Sequence, residues 1–304
     1  MKSGHRYVVI SPCRNEAAYM RQTLDSVIGQ SIRPAKWVIV DDGSSDATPQ
    51  ILREYRARHP WIEVLTRRDR GRRAVGPGVV EAFYAGYETI AAHDYDYLCK
   101  LDLDVRLPQR YFEVLMQRMA ANPRLGSCSG KAYIEEDGAL VPEGHGDETS
   151  LGMTKFYRVA CFKDIGGFVP QVMWDGIDCH RCRMNGWIAC SWDEPQLRFV
   201  HLRRMGSSQQ SLLAGRMRQG FGYYFMGTGP VFMTAAALNR MREKPYLLGG
   251  LATLWGYIQS ALERRPRYED AEFRRFLRRY HRRALLMGKK RAIDEIHREK
   301  SIAS

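Results

Sequence analysis

Lys100-Leu-Asp-Leu-Asp-Val-Arg-Leu-Pro108 is the stretch of this chain from which the fold can be read most directly. The apolar run over residues 95–101 predicts a buried β-strand, and Asp102 and Asp104 follow at its end. Ligands of open α/β sheets bind just beyond the carboxyl ends of the strands. Paired carboxylate oxygens at such a position suit Mg²⁺ or Mn²⁺ that bridges phosphates. The alternative is a solvated aspartate turn, which this motif alone does not exclude.

The first half of the chain alternates between strand and helix patterns. Strands are predicted at 7–11, 36–40 and 62–65, and helices at 48–55 and 78–92, with one more opening at Pro12-Cys-Arg-Asn-Glu16. This alternation implies right-handed βαβ units, so we predict an α/β fold with a mostly parallel, Rossmann-like sheet flanked by helices. Later strands are predicted near 126–133, 188–192 and 197–202, with a strand that runs into a short helix over 154–161 and a helix at 174–187.

The composition indicates a globular protein with an anionic partner. The 304 residues carry a formal net charge of +13 and are 44% hydrophobic. The basic residues show no stripe interleaved with aromatic residues, so we expect no nucleic acid partner. Seven cysteines, an odd number without framework spacing, fit free thiols in a reducing compartment, and the N-terminus shows no signal-peptide pattern. We therefore predict a cytoplasmic location.

The tail beyond residue 205 differs from the rest of the chain. Residues 219–239 and 246–262 carry no charge, and the segments are of marginal length for a membrane span. Basic helical patterns follow them. We predict a first domain over 1–205 and a basic helical C-terminal region over 206–304 that lies on the inner face of the plasma membrane. A helical cap packed on the sheet is the alternative.

Four motifs occur in a characteristic order: Pro12-Cys-Arg-Asn-Glu16, Val40-Asp-Asp-Gly-Ser-Ser-Asp46, Leu101-Asp-Leu-Asp104 and Trp174-Asp-Gly-Ile-Asp178. Together they resemble the family 2 glycosyltransferases, which have a GT-A fold, and the resemblance spans residues 6–205. It implies transfer of a sugar, of the hexosyltransferase type, from a nucleotide diphosphate sugar to a hydroxyl acceptor. The family reaction usually inverts the anomeric configuration and uses Mn²⁺ or Mg²⁺.

The resemblance also assigns roles to individual residues. The loop after the first strand would lie under the nucleotide, Asp42 would accept a hydrogen bond from the base, and Asp102 would contact ribose or metal. The region that often reads Asn-x-Gly-Lys in the family reads Asp69-Arg-Gly-Arg72 here. Guanidinium groups suit phosphate oxygens, so two arginines of this region are candidates for holding the base or diphosphate. The expected nucleotide-binding residues are Pro12, Arg14, Asn15, Glu16, Asp42, Arg72, Arg73 and Asp102.

The metal and the catalytic base complete the expected site. Asp104 matches the principal metal ligand of the family, with Asp102 beside it, and His201 matches a third ligand found in some relatives. The family base is the aspartate of a Glu-Asp pair, and here that pair reads Trp174-Asp175. The resemblance therefore implies Asp175 as the base, and Asp178, one helical turn later, is the competing residue.

The donor, the acceptor and two other functions complete the sequence-based expectations. A UDP-sugar is the expected donor. A saccharide or lipid-linked acceptor in polysaccharide or glycolipid synthesis is expected by analogy, as is contact with an anionic membrane surface. One alternative is a nucleotidyltransferase, but Ser11-Pro-Cys-Arg-Asn15 is not the glycine-rich phosphate loop that it needs. The other is a basic membrane-binding or nucleic-acid-binding module without enzymatic activity.

Overall fold

The structure, a computed structural model, describes residues 6–71, 76–144, 146–203, 212–242 and 244–302. The chain divides into two compact units, one of residues 1–170 and 187–204 and one of 171–186 and 205–304. Residues 171–186, which the sequence analysis assigned to the first domain, thus group with the C-terminal residues. The division at residue 205 stays a prediction.

The first unit is built on two sheets. Within the described residues it contains the strands β1 Tyr7–Cys13, β2 Lys36–Asp41, β3 Ile62–Thr66, β4 Tyr97–Leu101, β5 Val105–Arg106, β6 Leu125–Ser129, β7 Lys131–Glu136, β8 Ala139–Pro142, β9 Thr154–Arg158, β10 Ile188–Ser191 and β11 Arg198–His201. Its helices are α1 Met20–Ile28, α2 Thr48–Arg58, α3 Pro77–Tyr87, α4 Tyr111–Ala121 and α5 Val159–Asp164.

The main sheet confirms the predicted fold class. In the described part of the chain seven strands form it in the order β10-β6-β9-β4-β1-β2-β3. Neighbouring strands are parallel except β9, which runs antiparallel to β4 and β6. β1 and β4 are buried along their whole length, as expected for central strands covered on both faces. The carboxyl ends of β1, β2, β3 and β4 therefore lie at one edge of the sheet.

A second, smaller sheet brings β11 beside the end of β4. Its described strands have the order β5-β11-β7-β8, and β5 follows Asp104 directly. His201 pairs with Val105, and the Leu202 N–H donates to the Asp104 carbonyl over 2.8 Å. This pairing places the end of β11 next to the predicted acid pair.

The predicted helix at Pro12 is wrong. β1 continues through Pro12 to Cys13, because these residues pair with Val40 and Asp41 of β2. The next residues form a loop in which Asn15 has a φ of 55°, a left-handed conformation that asparagine tolerates. Helix α1 begins only at Met20. The predicted strands at 36–40 and 62–65 are confirmed, each with one more residue at its end.

The second unit is helical throughout its described elements. These are α6 Trp174–Met184, α7 Leu212–Met226, α8 Pro230–Arg240, α9 Leu248–Leu262, α10 Ala271–Met287 and α11 Lys289–Ile302. α7 and α9 pack very closely, since a Cβ placed on Gly256 would lie 2.1 Å from the Met217 carbonyl oxygen. Among the described residues, none of the helices has the length and apolar character needed to cross a bilayer.

Candidate active site

The loops after β1 and β2 are held together by backbone donors. Ser45 N–H donates to the Asn15 side-chain oxygen over 2.8 Å, and the Asn15 N–H donates to Ser44 Oγ over 2.9 Å. The Glu16 N–H donates to Thr48 Oγ1 over 2.9 Å at the start of α2. Two of the sequence motifs thus form one connected surface at the carboxyl edge of the sheet, with Pro12 buried beneath it.

Asp42 lies at the end of β2 among arginines. Its carboxylate accepts from Arg67 over 2.8 Å and from Arg70, and its side chain is only 10% exposed. Arg14 donates to the Asp42 carbonyl over 2.6 Å and forms an ion pair with Asp69. This edge of the sheet thus combines a nearly buried carboxylate with guanidinium groups, which are well suited to binding phosphate oxygens.

The two arginines predicted from the sequence to hold the nucleotide, Arg72 and Arg73, lie outside the described residues. Arg67 and Arg70, which contact Asp42, were missed, although the run from Arg67 to Arg73 was visible in the sequence. Their proximity to Asp42 follows from the parallel pairing of β2 with β3, which ends at Asp41 and Thr66.

Gly43 allows the loops after β2 and β3 to meet. Its φ is +74°, and a Cβ at this position would lie 2.4 Å from the Asp69 Cα. A larger residue would need both a left-handed backbone and a displaced loop. The sequence motif at residues 40–46 therefore includes a glycine for a steric reason, and the contact keeps Asp69 within reach of Arg14.

The acid pair occupies the predicted position beyond β4, but its two carboxylates have different surroundings. Asp102 accepts from Lys100 Nζ over 2.5 Å, and its side chain remains 29% exposed. Asp104 is 5% exposed, and its Oδ2 accepts from the Arg203 Nε over 3.1 Å. Its Oδ1 is buried and has no hydrogen-bond partner among the described residues. This buried oxygen can accept a cation or a donor that the folded chain does not supply.

His201 lies next to Asp104, as the sequence predicted. Its Nε2 is 3.6 Å from Asp104 Oδ2, and its Nδ1 is 2.8 Å from Glu143 Oε2. A ring nitrogen held by a carboxylate fixes the imidazole orientation, and the other nitrogen here faces Asp104. Glu143 was missed by the sequence analysis, because it lies in a polar stretch that was read only as an exposed loop.

Arg203 links the acid pair to the loop after β1. Its Nη2 donates to Asp104 Oδ2 over 2.5 Å and to Glu16 Oε1 over 3.1 Å. Burial would raise the pKa of Asp104, but hydrogen bonds and charges from His201 and Arg203 lower that pKa to about 2. Burial would lower the pKa of His201, but Asp104 and Glu143 raise it to about 9. In the folded chain, the negative charge of these carboxylates is therefore balanced by two positively charged side chains, His201 and Arg203.

The residues present fit a divalent cation that binds together with a diphosphate. In the described part of the chain no three His, Cys, Asp or Glu side chains form a ready-made metal cluster. Mg²⁺ at nucleotide sites is commonly held by one or two carboxylates, with phosphates and water completing the shell. The unbonded Asp104 Oδ1, with Asp102 and His201 beside it, provides a donor set of this kind.

Asp175 and Asp178 both belong to the helical unit. Asp175 is in the first turn of α6 and is partly exposed, after Met173 with a φ of 67°. Asp178 is 1% exposed, and its Oδ1 accepts from the Cys179 N–H over 2.6 Å. Exposure thus distinguishes the two carboxylates, and the assignment of the base to Asp175 stays a prediction.

The α/β fold, with the acid pair after its central strand, is of the GT-A glycosyltransferase type. Residues 8–174, more than half of the chain, match the Glycosyl transferase family 2 profile. The chain therefore belongs to glycosyl transferase family 2, and the resemblance stated from its motifs is confirmed.

Curated relatives match part of the chain. The poly-β-1,6-N-acetyl-D-glucosamine synthase of Staphylococcus epidermidis is 26% identical over 146 residues, which are 46% of this chain and 33% of that protein. The synthase of Staphylococcus aureus strain COL is 25% identical over 130 residues, or 42% of this chain and 29% of that protein. The chain thus spans about a third of the length of these relatives.

Solved structures with the same fold cover nearly the whole chain. The mannosyltransferase PcManGT from Pyrobaculum calidifontis, in complex with GDP-Man and Mn²⁺, has a TM-score of 0.52 and 17% identity, and the match covers 99% of this chain and 87% of PcManGT. S. aureus TarS 1–349 in complex with UDP-GlcNAc has a TM-score of 0.52 and 16% identity over 97% of this chain and 92% of that one. GalNAc-T7 with UDP, GalNAc and Mn²⁺ has a TM-score of 0.58 and 14% identity over 94% and 58%.

Proposed function

We propose that this protein transfers a sugar from a UDP-sugar to a hydroxyl acceptor, with inversion of the anomeric centre, in polysaccharide or glycolipid synthesis. One observation carries the proposal: the buried Asp104 Oδ1 has no hydrogen-bond partner among the described residues, at the edge of the sheet where Asp42 and the arginines gather. Family membership and the curated synthase relatives support the reaction class.

The proposed donor-binding residues accept a hydrogen bond from the base and neutralise the charge of the diphosphate. We assign the base edge to Asp42, which must exchange contacts with Arg67 or Arg70 for a base N–H when the nucleotide binds. A guanidinium released in this way is free to contact the diphosphate. Arg203 holds Asp104 Oδ2 and leaves Oδ1 to a cation, while Glu16 provides a second acceptor for its guanidinium.

A divalent ion would be held by Asp104, Asp102 and His201. When bound, such an ion would neutralise the negative charge that develops on the departing diphosphate. Asp175 would take the proton of the acceptor hydroxyl as this oxygen attacks the anomeric carbon. A single displacement from the face opposite the leaving group gives inversion. Neighbours with the same fold carry UDP-GlcNAc or GDP-Man, so both bases deserve testing, and UDP is the expected one.

Thermal unfolding tests which nucleotide the protein binds. A ligand at 100 times its Kd stabilises the native state by about 2.7 kcal/mol, which corresponds to a rise in Tm of roughly 5–10 °C for a unit of this size. We expect this rise with UDP and Mn²⁺ together and little change with either alone. GDP with Mn²⁺ is the matched control for the identity of the nucleobase.

The reaction itself is tested by following UDP release from UDP-GlcNAc in the presence of Mn²⁺. A glycosyltransferase slowly transfers the sugar to water and releases UDP, whereas a nucleotidyltransferase or a binding module does not. If the protein binds the nucleotide but releases neither UDP from any UDP-sugar nor GDP from GDP-Man, the result would contradict the proposal.

The helical unit supports the finer proposal of a peripheral membrane location. On α9 the small residues face inward, with Gly249, Gly250, Thr253, Gly256 and Ser260 buried. The large apolar residues face outward, and Leu251, Trp255 and Leu262 are 52%, 53% and 73% exposed. This distribution is the reverse of a soluble amphipathic helix, which buries its large apolar residues. Small residues between helices are typical of packing in lipid.

Charge at both ends of α9 favours an orientation in the membrane plane. Exposed Arg242 and Lys244 precede the helix, and exposed Arg264, Arg265 and Arg267 follow it. Basic residues are attracted to an anionic membrane surface, so basic residues at both ends bring the whole helix to that surface. An anionic lipid surface would therefore contact both the exposed apolar face of α9 and the basic residues that flank this helix.

Vesicle sedimentation tests this location. Leu251→Ser/Trp255→Ser removes two exposed apolar side chains, each contributing about 1.5 kcal/mol or more when fully buried, so affinity for anionic vesicles should fall at least about tenfold. Leu140→Ser/Val141→Ser is the matched control, since these exposed residues lie on β8 of the other unit. Equal sedimentation of the two variants, or binding insensitive to salt, would argue against the proposal.

A further inference from the structure

The helical unit contains an open cavity that the proposed transfer reaction does not use. Its volume is about 700 Å³, and it lies between the first turn of α8 and one face of α10. Four arginines line it, and no acidic residue is among the described residues that do so. The four are Arg275, Arg278, Arg279 and Arg282.

These arginines are poorly balanced by the chain. Arg279 has an ion pair with Glu299 at 3.3 Å. Within the described residues no carboxylate lies within ion-pair distance of Arg275, Arg278 or Arg282. The three are exposed residues that line the same cavity, and an anion placed among them would reduce the repulsion between their charges.

The floor of the cavity is apolar and aromatic but contains one unsatisfied polar atom. His281 is 5% exposed, and its ring is stacked on Phe232 with 3.6 Å between the ring centroids. Its buried Nδ1 has no hydrogen-bond partner in the described part of the chain. Burial is the main reason that the pKa of His281 falls to about 3, so the ring is neutral at physiological pH.

The geometry points to a site for an anionic amphiphile, in which the arginines bind a phosphate ester and the apolar floor accepts the adjoining chain. The first turn of α8 adds backbone N–H groups that have no acceptor within the helix. Exposed Val231 and Leu285 stand at the rim, where an acyl chain would leave. A phosphate without a chain would leave the apolar floor uncovered, so we commit to a phospholipid of the anionic surface.

This inference rests on the proposed membrane location and names a lipid-head site within it. The probe is dihexanoyl phosphatidylglycerol below its micelle concentration, titrated calorimetrically into the full chain. Monomeric lipid can bind in the cavity but offers no bilayer to adsorb to. A protein that binds vesicles but not this lipid would therefore contradict the cavity site and leave the membrane location intact. Inorganic phosphate and dihexanoyl phosphatidylcholine are the comparison ligands, the first without a chain and the second without net charge.

Arg278→Gln/Arg282→Gln should weaken phosphatidylglycerol binding about 10- to 100-fold, since each charge-assisted contact contributes roughly tenfold. Arg291→Gln/Arg298→Gln removes the same charge from exposed positions of α11 and should leave the affinity unchanged. Val231→Trp fills the rim without changing charge and should also weaken binding, which keeps the test valid if the double arginine variant unfolds. Equal losses in the two double variants, or equal affinity for inorganic phosphate, would overturn the site.

Discussion

Asp104→Ala is expected to abolish the Mn²⁺-dependent binding of UDP. The substitution removes a buried carboxylate oxygen, Oδ1, that the folded chain leaves without a hydrogen bond among its described residues. Loss of a residue that only supports a metal ligand typically costs 10- to 100-fold in metal affinity, so loss of the principal ligand should exceed about 100-fold. Isothermal titration of UDP with and without Mn²⁺ measures the effect.

Two control variants make this result specific. Asp102→Ala should weaken binding less, because Asp102 is already neutralised by Lys100 at 2.5 Å and is more exposed. Asp94→Ala removes an exposed aspartate from the loop before β4 and should bind as the unmodified protein does. If Asp104→Ala retains its fold by circular dichroism and binds UDP and Mn²⁺ with unchanged affinity, the metal site lies elsewhere.

The site residues at the strand ends could be predicted, because the strands are visible in the sequence as apolar runs. β2 and β4 are nearly continuous apolar runs, and such runs are typical of strands buried on both faces of a parallel sheet. Once the strands are placed, Asp42 and Asp104 must lie at the same edge. The sequence also indicated His201, because β11 ends at that residue.

The partners of these carboxylates could not be predicted, since they come from distant parts of the chain. Arg203 is 99 residues from Asp104 and 187 from Glu16, and Glu143 is 58 residues from His201. These contacts depend on the register of the second sheet, in which β11 lies between β5 and β7. Short strands such as β5, with two residues, leave almost no periodic signal.

The loop after β1 was misread for a related reason. Proline followed by polar residues and glutamate is a common start of a helix, and that pattern favoured a helix from Pro12. Pairing with β2 instead keeps Pro12 and Cys13 in the sheet, and tertiary hydrogen bonds to Ser44, Ser45 and Thr48 then hold the loop. The tertiary contacts thus outweigh the local preference where the binding loop is formed.

In the tail, the sequence showed uncharged stretches but not which residues face outward. The period of α9 allows either its small residues or its large residues to face the other helices. Gly256, whose backbone closely approaches Met217, requires the small face to point inward. Trp255 and Leu251 are consequently exposed, and this exposure is the basis of the proposed lipid contact.

Asp175→Asn is expected to reduce kcat by about 10²–10⁴-fold while leaving the affinity for UDP and Mn²⁺ unchanged, because loss of a general base has an effect of this size. Asp175 is in the first turn of α6 and is partly exposed. Its amide analogue keeps the size of the side chain but cannot take a proton from the acceptor. Nucleotide affinity should survive, since the proposed donor contacts involve other residues.

Asp178→Asn is the matched control three positions along the same helix. Asp178 is buried and its Oδ1 accepts from the Cys179 N–H. The substitution keeps one acceptor oxygen but buries an amide NH2 in place of the other, so it should mainly lower Tm and leave kcat of the folded protein close to its original value. The comparison needs kcat, KM and Tm for both variants with UDP-GlcNAc. A folded and inactive Asp178→Asn beside an active Asp175→Asn would assign the base to Asp178 instead, and loss of UDP affinity in Asp175→Asn would indicate a role in donor binding.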